Sequence, residues 1–176
     1  MNNTGYLFIV GVVAGSNDVD TIELSLINPV TMEVAGLTKT ILKSNGDAVA
    51  GIGGSVIIGN PYYIRIKHRN SVETWSNVPV VITPSSTYLF TASQSSAFGD
   101  NLTETFDHMG WAIFSGDINH DGAVDALDYV ELDPSIQAGD GGYSIGDLNG
   151  DGAVDALDYL IMDPNIQNGV GTISPP

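Results

Sequence analysis

Residues 146–159 read GDLNGDGAVDALDY, and thirty positions earlier residues 116–129 read GDINHDGAVDALDY. Aligned without gaps, 116–139 and 146–169 share 17 of 24 residues, so this part of the chain is one small unit written twice. Each copy crowds acids together. Twelve of the 21 Asp and Glu fall between Gly116 and Gly169, a stretch with no Lys or Arg. Carboxylates this dense repel one another unless a cation sits among them. A solvated acidic tail would lack apolar residues, yet Val124, Leu127, Tyr129 and Leu132 recur here at helical spacing. The stretch reads as a folded cation site.

Within each copy the pattern is D-x-N-x-D-G-x-x-D-x-x-D. The first ligand set is Asp117, Asn119, Asp121, the backbone carbonyl of Ala123, Asp125 and Asp128. The second is Asp147, Asn149, Asp151, the carbonyl of Ala153, Asp155 and Asp158. This is EF-hand loop spacing, with oxygens at positions 1, 3, 5, 7, 9 and 12, and it suits Ca²⁺, a hard cation that takes about six to eight oxygens. Mg²⁺ fits less well, because its small octahedral shell prefers to keep several waters. Two bound Ca²⁺ are therefore expected. Gly122 and Gly152 hold position 6, where the turn calls for a positive φ. Val124 and Val154, at position 8, are expected to pair across the two loops. Two features depart from an EF-hand: position 12 is Asp rather than Glu, and no helix pattern precedes either loop.

A duplicated loop followed only by an exiting helix resembles the dockerin family, over about residues 116–169. The resemblance implies a small α module that binds a cohesin partner in cell-surface assemblies. Positions 10 and 11, which carry partner choice in many dockerins, are Ala126-Leu127 and Ala156-Leu157. They read as intramolecular core in preference to a hydrophobic docking face. Pro134 and Pro164 are expected to cut the two helices to about two turns. The run YYIRIKHRNSVETW (62–75), with SGDINHDG (115–122), is also similar to C-terminal regions of secreted Bacteroidota-type proteins. There, a prealbumin-like or Cna-B-like sandwich precedes dockerin-like loops.

Residues 1–115 carry the strand signals that such a sandwich needs. Short runs rich in Val, Ile, Thr and Tyr recur between turns: YLFIVGVV, TIELSLI, TKTILK, GSVIIG, YYIRIKHR, VPVVITP and STYLFTA. Along 62–69, Tyr63, Arg65, Lys67 and Arg69 share one face, expected to be solvated, and Tyr62, Ile64, Ile66 and His68 share the other. Between Thr91 and Met109, Ser, Asn, Asp and Gly suggest a linker, and WAIF (111–114) a last strand or apolar plug. The expected organisation is a mainly β chain: an Ig-like or prealbumin-like sandwich over 1–115, the calcium module over 116–169 and a tail over 170–176.

Composition narrows the function. A net charge of −16, from 21 acids against 5 bases, excludes nucleic acid and anionic membranes, which need basic patches. No apolar run is long enough to span a membrane, and the N-terminal GYLFIVGVVAG lacks the basic start of a secretion signal. Without cysteine, the chain has no disulfide, thiolate metal site or cysteine nucleophile. His68, His108 and His120 are not spaced as metal ligands, and no catalytic motif is present, so no enzyme is expected. What remains is a secreted, cell-surface structural protein stapled by calcium. It would self-assemble into a fibre or adhesive layer by strand addition through its N-terminal run, with Tyr6, Phe8 and Val10 filling a neighbour's core. The alternative is a dockerin-type anchor for a cohesin-like partner. Glycans are conceivable at Asn2, Asn101 and Thr21, from short acceptor motifs.

Overall fold

The computed structural model describes residues 2–4, 18–105, 108 and 110–176. Most of the N-terminal run, including Tyr6, Phe8 and Val10, lies outside the described residues. The chain is mainly β with two short helices. Its strands are β1 (Asn2–Thr4), β2 (Asp18–Ile27), β3 (Val34–Lys43), β4 (Asp47–Val49), β5 (Pro61–His68), β6 (Ser71–Trp75), β7 (Val80–Val81), β8 (Thr87–Leu89), β9 (Thr103–Glu104) and β10 (Trp111–Ala112). Helices α1 (Ala126–Ala138) and α2 (Tyr159–Gln167) follow.

Hydrogen bonding runs in the order β6-β5-β2-β3-β4-β1-β8, with β7 on β5 and β9 paired to β10. The alternation read on β5 holds: Tyr62, Ile64, Ile66 and His68 are buried, and Lys67 is exposed. Ile64 and Ile66 stand directly opposite Leu26 and Leu24 of β2, so the two central strands present one continuous apolar face.

Three expectations about this part of the chain need correction. GSVIIG is not a strand. Its backbone makes isolated tethers, Ser55 N–H to the Ala35 carbonyl (2.8 Å) and Gly59 N–H to the Ile82 carbonyl (2.8 Å), and Ile57 and Ile58 stay exposed. The supposed linker after Thr91 is part of the sandwich. Three 3-10 turns, Phe90–Ala92, Gln94–Ser96 and Phe98–Asp100, deliver Phe90, Ala97 and Leu102 into the core. The basic strand face is partnered rather than simply solvated. Lys67 pairs with Glu73 at 2.8 Å, and the Arg65 guanidinium lies 5.6 Å from the centre of the Trp75 ring.

A second core holds Ile118, Val124, Leu132, Leu148, Val154, Met162 and Val170 under the two helices. Val72 of β6 belongs to it as well. The sandwich and the duplicated unit are joined there, since Val72 N–H donates to Phe114 O (3.0 Å) and Gly116 N–H to Asn70 O (2.7 Å).

Candidate metal centre

The repeat folds twice in the same way. In the first loop Asp128, fully buried, accepts from Ile118 N–H (2.7 Å) and Asn119 N–H (3.1 Å) on Oδ1, and from Asp125 N–H (2.8 Å) on Oδ2. In the second, Asp158 accepts from Leu148, Asn149 and Asp155 at 2.7, 3.1 and 2.9 Å. The position-12 aspartate thus ties the start of each loop to its exiting helix. Asn119 caps Asp121 N–H and Asp121 caps Ala123 N–H, and Asn149 and Asp151 do the same one repeat later. Gly122 and Gly152 adopt φ of 92° and 88°, the left-handed turn expected at position 6. The glycine opening each copy is there for space: a Cβ on Gly116 would lie 2.7 Å from Val124 Cγ1, and one on Gly146 2.9 Å from Val154 Cγ1.

Val124 and Val154 are both buried in the second core, but their backbones do not pair with each other. Each loop instead bonds to the chain leaving the other helix. Val124 N–H donates to Val170 O (2.8 Å) and Thr172 N–H to Gly122 O (2.7 Å). Symmetrically, Val154 N–H donates to Asp140 O (2.9 Å) and Gly142 N–H to Gly152 O (2.8 Å). The segment read as a tail is therefore structural through Thr172, and Asn101 of the sandwich donates to Gly171 O (2.9 Å). Asn101 is buried, and its Nδ2 is engaged in that bond. Thr21 is exposed.

The prolines lie inside the helices rather than ending them, and α1 is longer than the two turns expected while α2, at about two and a half turns, is close to it. α1 runs 13 residues through Pro134, and α2 holds Pro164 within its 9 residues. Tyr129 OH donates to the Asp163 carboxylate and Tyr159 OH to that of Asp133, with the two rings 5.5 Å apart. Both phenols are pushed up to about 12, chiefly by those carboxylates. The apolar residues at position 11 are not core: Leu127 is 58% exposed and Leu157 51%. Their helical neighbours Val130 and Leu160 are exposed too, while the repeat-equivalent Leu132 and Met162 are fully buried.

Among the described residues, no three His, Asp or Glu side chains gather at metal-holding separation. The set read from the sequence is mixed, with an asparagine and a backbone carbonyl in each loop, and Asp121, Asp125, Asp151 and Asp155 turn oxygens onto backbone N–H groups. One observation nonetheless fits a cation. Asp117 is 3% exposed, and its Oδ1 has no hydrogen-bond partner. Burial pushes its carboxyl up to about 6, and the Asp128 and Asp121 carboxylates push the same way, against His120 and the Gly122 N–H. Asp147 is likewise raised by burial, with Asp158 adding to the effect and the Gly152 and Gly150 N–H groups and Arg69 opposing it. Buried oxygens that resist ionisation alone are what a dication would neutralise.

Sequence reasoning missed a second cluster, on the sandwich side of the repeat. Asp20, buried on β2, lies 2.8 Å from His68 Nε2 and 2.9 Å from Arg69 Nε, and accepts a hydrogen bond from Tyr143 OH. Burial opposes its charge, yet the bonds from His68, Tyr143 and Arg69 hold the carboxyl well below the ordinary range. Burial lowers the His68 pKa against the pull of Asp20. The only signal in the sequence was a basic residue, Arg69, placed just beyond the end of a strand.

No family model matches the chain, nor does any curated protein. Solved structures do. A chain of an N-terminal interface mutant of the type II cohesin–X-dockerin complex from Acetivibrio cellulolyticus matches with a TM-score of 0.56 at 16% identity, covering 98% of this chain and 97% of that one. A C-terminal interface mutant of the same complex matches at 0.54 and 17%, with the same coverage. At this identity the likeness is one of fold: a β-sandwich of the kind found in cohesin–dockerin assemblies.

Proposed function

We propose that this chain is a non-enzymatic, extracellular anchoring module of the dockerin type, stapled by two Ca²⁺ and docked onto a cohesin-like partner. The observation that carries the reading is the matched pair of solvent-facing leucines, Leu127 and Leu157, at equivalent positions of the repeat. Each is followed three residues on by another exposed apolar residue, Val130 on the same face of α1 and Leu160 in the first turn of α2, which begins just after Leu157. Large apolar side chains exposed together on an acidic module mark an interaction site. The likeness to cohesin–X-dockerin complexes supports the class of partner, since it spans 98% of the chain, both helices included.

Leu127→Asp combined with Leu157→Asp is expected to abolish capture by immobilised cohesin domains while leaving calcium-dependent melting unchanged. Undiminished capture by the double variant would overturn the proposed face, and no capture of the unaltered chain by any cohesin of a panel would overturn the anchor. One observation keeps a self-assembling surface subunit as the second reading. β1 lies between β4, antiparallel, and β8, parallel, a slot that a strand from another copy fits equally well. Polymers of the pure chain in calcium, seen by light scattering, would favour that reading over the anchor.

In each loop the Asp, Asn and carbonyl oxygens named above would hold the ion, and the ion would supply the charge that lets buried Asp117 and Asp147 ionise. A pH dependence follows. The folded-state pKa of Asp117 is raised, so without calcium this group stabilises the fold below pH 3.8, and the contribution is lost as pH rises through about 6. Calcium reverses that loss. The rise in melting temperature on adding calcium is therefore expected to be larger at pH 7 than at pH 5. His68 is shifted downward and works in the opposite direction over this window, but it is common to both arms and cancels. An equal calcium effect at the two pH values would contradict ion binding at Asp117.

A further inference from the structure

The two loops are alike within themselves but not in what the sandwich does to them. The turn between β5 and β6 touches the entries of both loops, since Asn70 O accepts from Gly116 N–H (2.7 Å) and Ser115 Oγ (3.1 Å) ahead of the first. Among the described residues, however, its side chains bond the position-1 carbonyl of the second loop alone. Arg69 donates to the carbonyls of Ser144 and Asp147, the latter at 3.4 Å. Asn70 Nδ2 donates to Ile145 O at 3.2 Å and Asp147 O at 3.3 Å. Asp147 is the position-1 residue, and its backbone is thus fixed from outside the loop by two side chains. Its carboxylate is fixed from inside, by Gly150 N–H (2.8 Å) and Gly152 N–H (3.1 Å). No side chain among the described residues donates to the Asp117 carbonyl, and Asp117 Oδ1 is unpartnered.

A cation beside a calcium site would normally weaken it by repulsion. Here the Arg69 charge is met by Asp20 at 2.9 Å, and its guanidinium lies 4.6 Å from the centre of the Tyr143 ring. What remains is mostly geometry: a planar fork aimed by a buried carboxylate at the carbonyls that lead into the loop. Fixing the position-1 backbone before the ion arrives removes ordering that binding would otherwise have to supply.

We infer that the Arg69-Asn70 turn of the sandwich is a positioning clamp for the second calcium loop, so that the two loops bind calcium unequally, the second more tightly. This rests on the calcium reading of the repeat. Arg69 and Asn70 touch no ion; they act through the backbone of residues 144–147. The clamp links occupancy of the second loop to docking of the sandwich through side-chain bonds to its position-1 carbonyl, bonds that the first loop does not receive among the described residues.

The test is calcium titration by calorimetry on the full chain, with one loop disabled at a time. Asp121→Ala leaves the second loop and Asp151→Ala leaves the first. The second loop is expected to bind about tenfold more tightly, the scale of a lost hydrogen bond to a charged group. Arg69→Met should erase that gap by weakening the second loop alone, with the first unchanged to within about twofold. Asn70→Ala, which keeps the ion network, should move the second loop in the same direction by less, and it carries the test if Arg69→Met does not fold. Arg69→Lys retains the charge without the fork and is expected to behave like Arg69→Met. Equal affinities in the parent loops, equal weakening of both loops, or no change in either would overturn the clamp. Absence of calcium binding in every variant is a separate result that would overturn the calcium reading, and the clamp with it.

Discussion

Removing calcium with EDTA is expected to lower the melting temperature of the full chain by roughly 10–20 °C. A site whose Kd lies a hundredfold below the free calcium concentration stabilises the folded state by about 2.7 kcal/mol, and two sites by about twice that. For a chain of this size each kcal/mol moves the melting temperature by roughly 2–4 °C. The effect is large because the second core is small: eight buried residues, Val72 among them, underlie a unit with twelve acids and no compensating base. Without the ions, Asp117 and Asp147 are buried carboxylates in a field of like charge. Melting followed by circular dichroism in excess Ca²⁺ and in EDTA checks this, and coincident curves would end the calcium reading.

Asp128→Ala is expected to cost about 4 kcal/mol even in EDTA, because this residue organises the loop whether or not an ion is present. Its carboxylate is the acceptor for three backbone N–H groups, those of Ile118, Asn119 and Asp125. Alanine would leave all three without that partner, Ile118 N–H in a buried setting and Asn119 and Asp125 N–H in partly buried ones, at roughly 1–3 kcal/mol each. Asp121 offers a contrast. It is exposed, and its oxygens meet only Ala123 N–H and the Asn119 amide. Asp121→Ala should therefore cost no more than about 1 kcal/mol in EDTA and show its full effect only with calcium. Asp128→Asn, which keeps one carbonyl acceptor, should recover about half of the loss. Chemical denaturation of the three variants in chelator gives the comparison. If Asp128→Ala and Asp121→Ala were equally stable there, the organising role of position 12 would be wrong.

Much of this architecture was legible in the residues, and the failures share a cause. The strands β2, β3 and β5 could be read because period-2 alternation is a local signal, and a buried face imposes it directly. The turn glycines at 122 and 152 were legible for the same reason, since a positive φ is a property of one residue. GSVIIG has strand composition but makes only isolated bonds to Ala35 and Ile82 in place of a ladder, and composition cannot report whether a ladder forms. The serine-rich stretch after Thr91 misled in the other direction: three apolar residues, Phe90, Ala97 and Leu102, are enough to close a core when tight turns point them inward. Leu127 and Leu157 were assigned inward because apolar side chains usually are. Their exposure follows from Leu132 and Met162 already filling the space beneath the helices. The pairing of each loop with the other helix's exit could not be read at all, because it is set by how two copies pack and not by either copy alone.

That crossed pairing has a consequence for the order in which the chain can be completed. The first loop, residues 117–128, leaves the ribosome well before Val170 and Thr172, yet those are the residues whose backbone closes it. The second loop is closed by Asp140 and Gly142, which precede it in synthesis. The loop made first is thus finished last. Until residue 172 has emerged the nascent chain can assemble only one of its two loops, so its ion sites mature in the reverse of their written order.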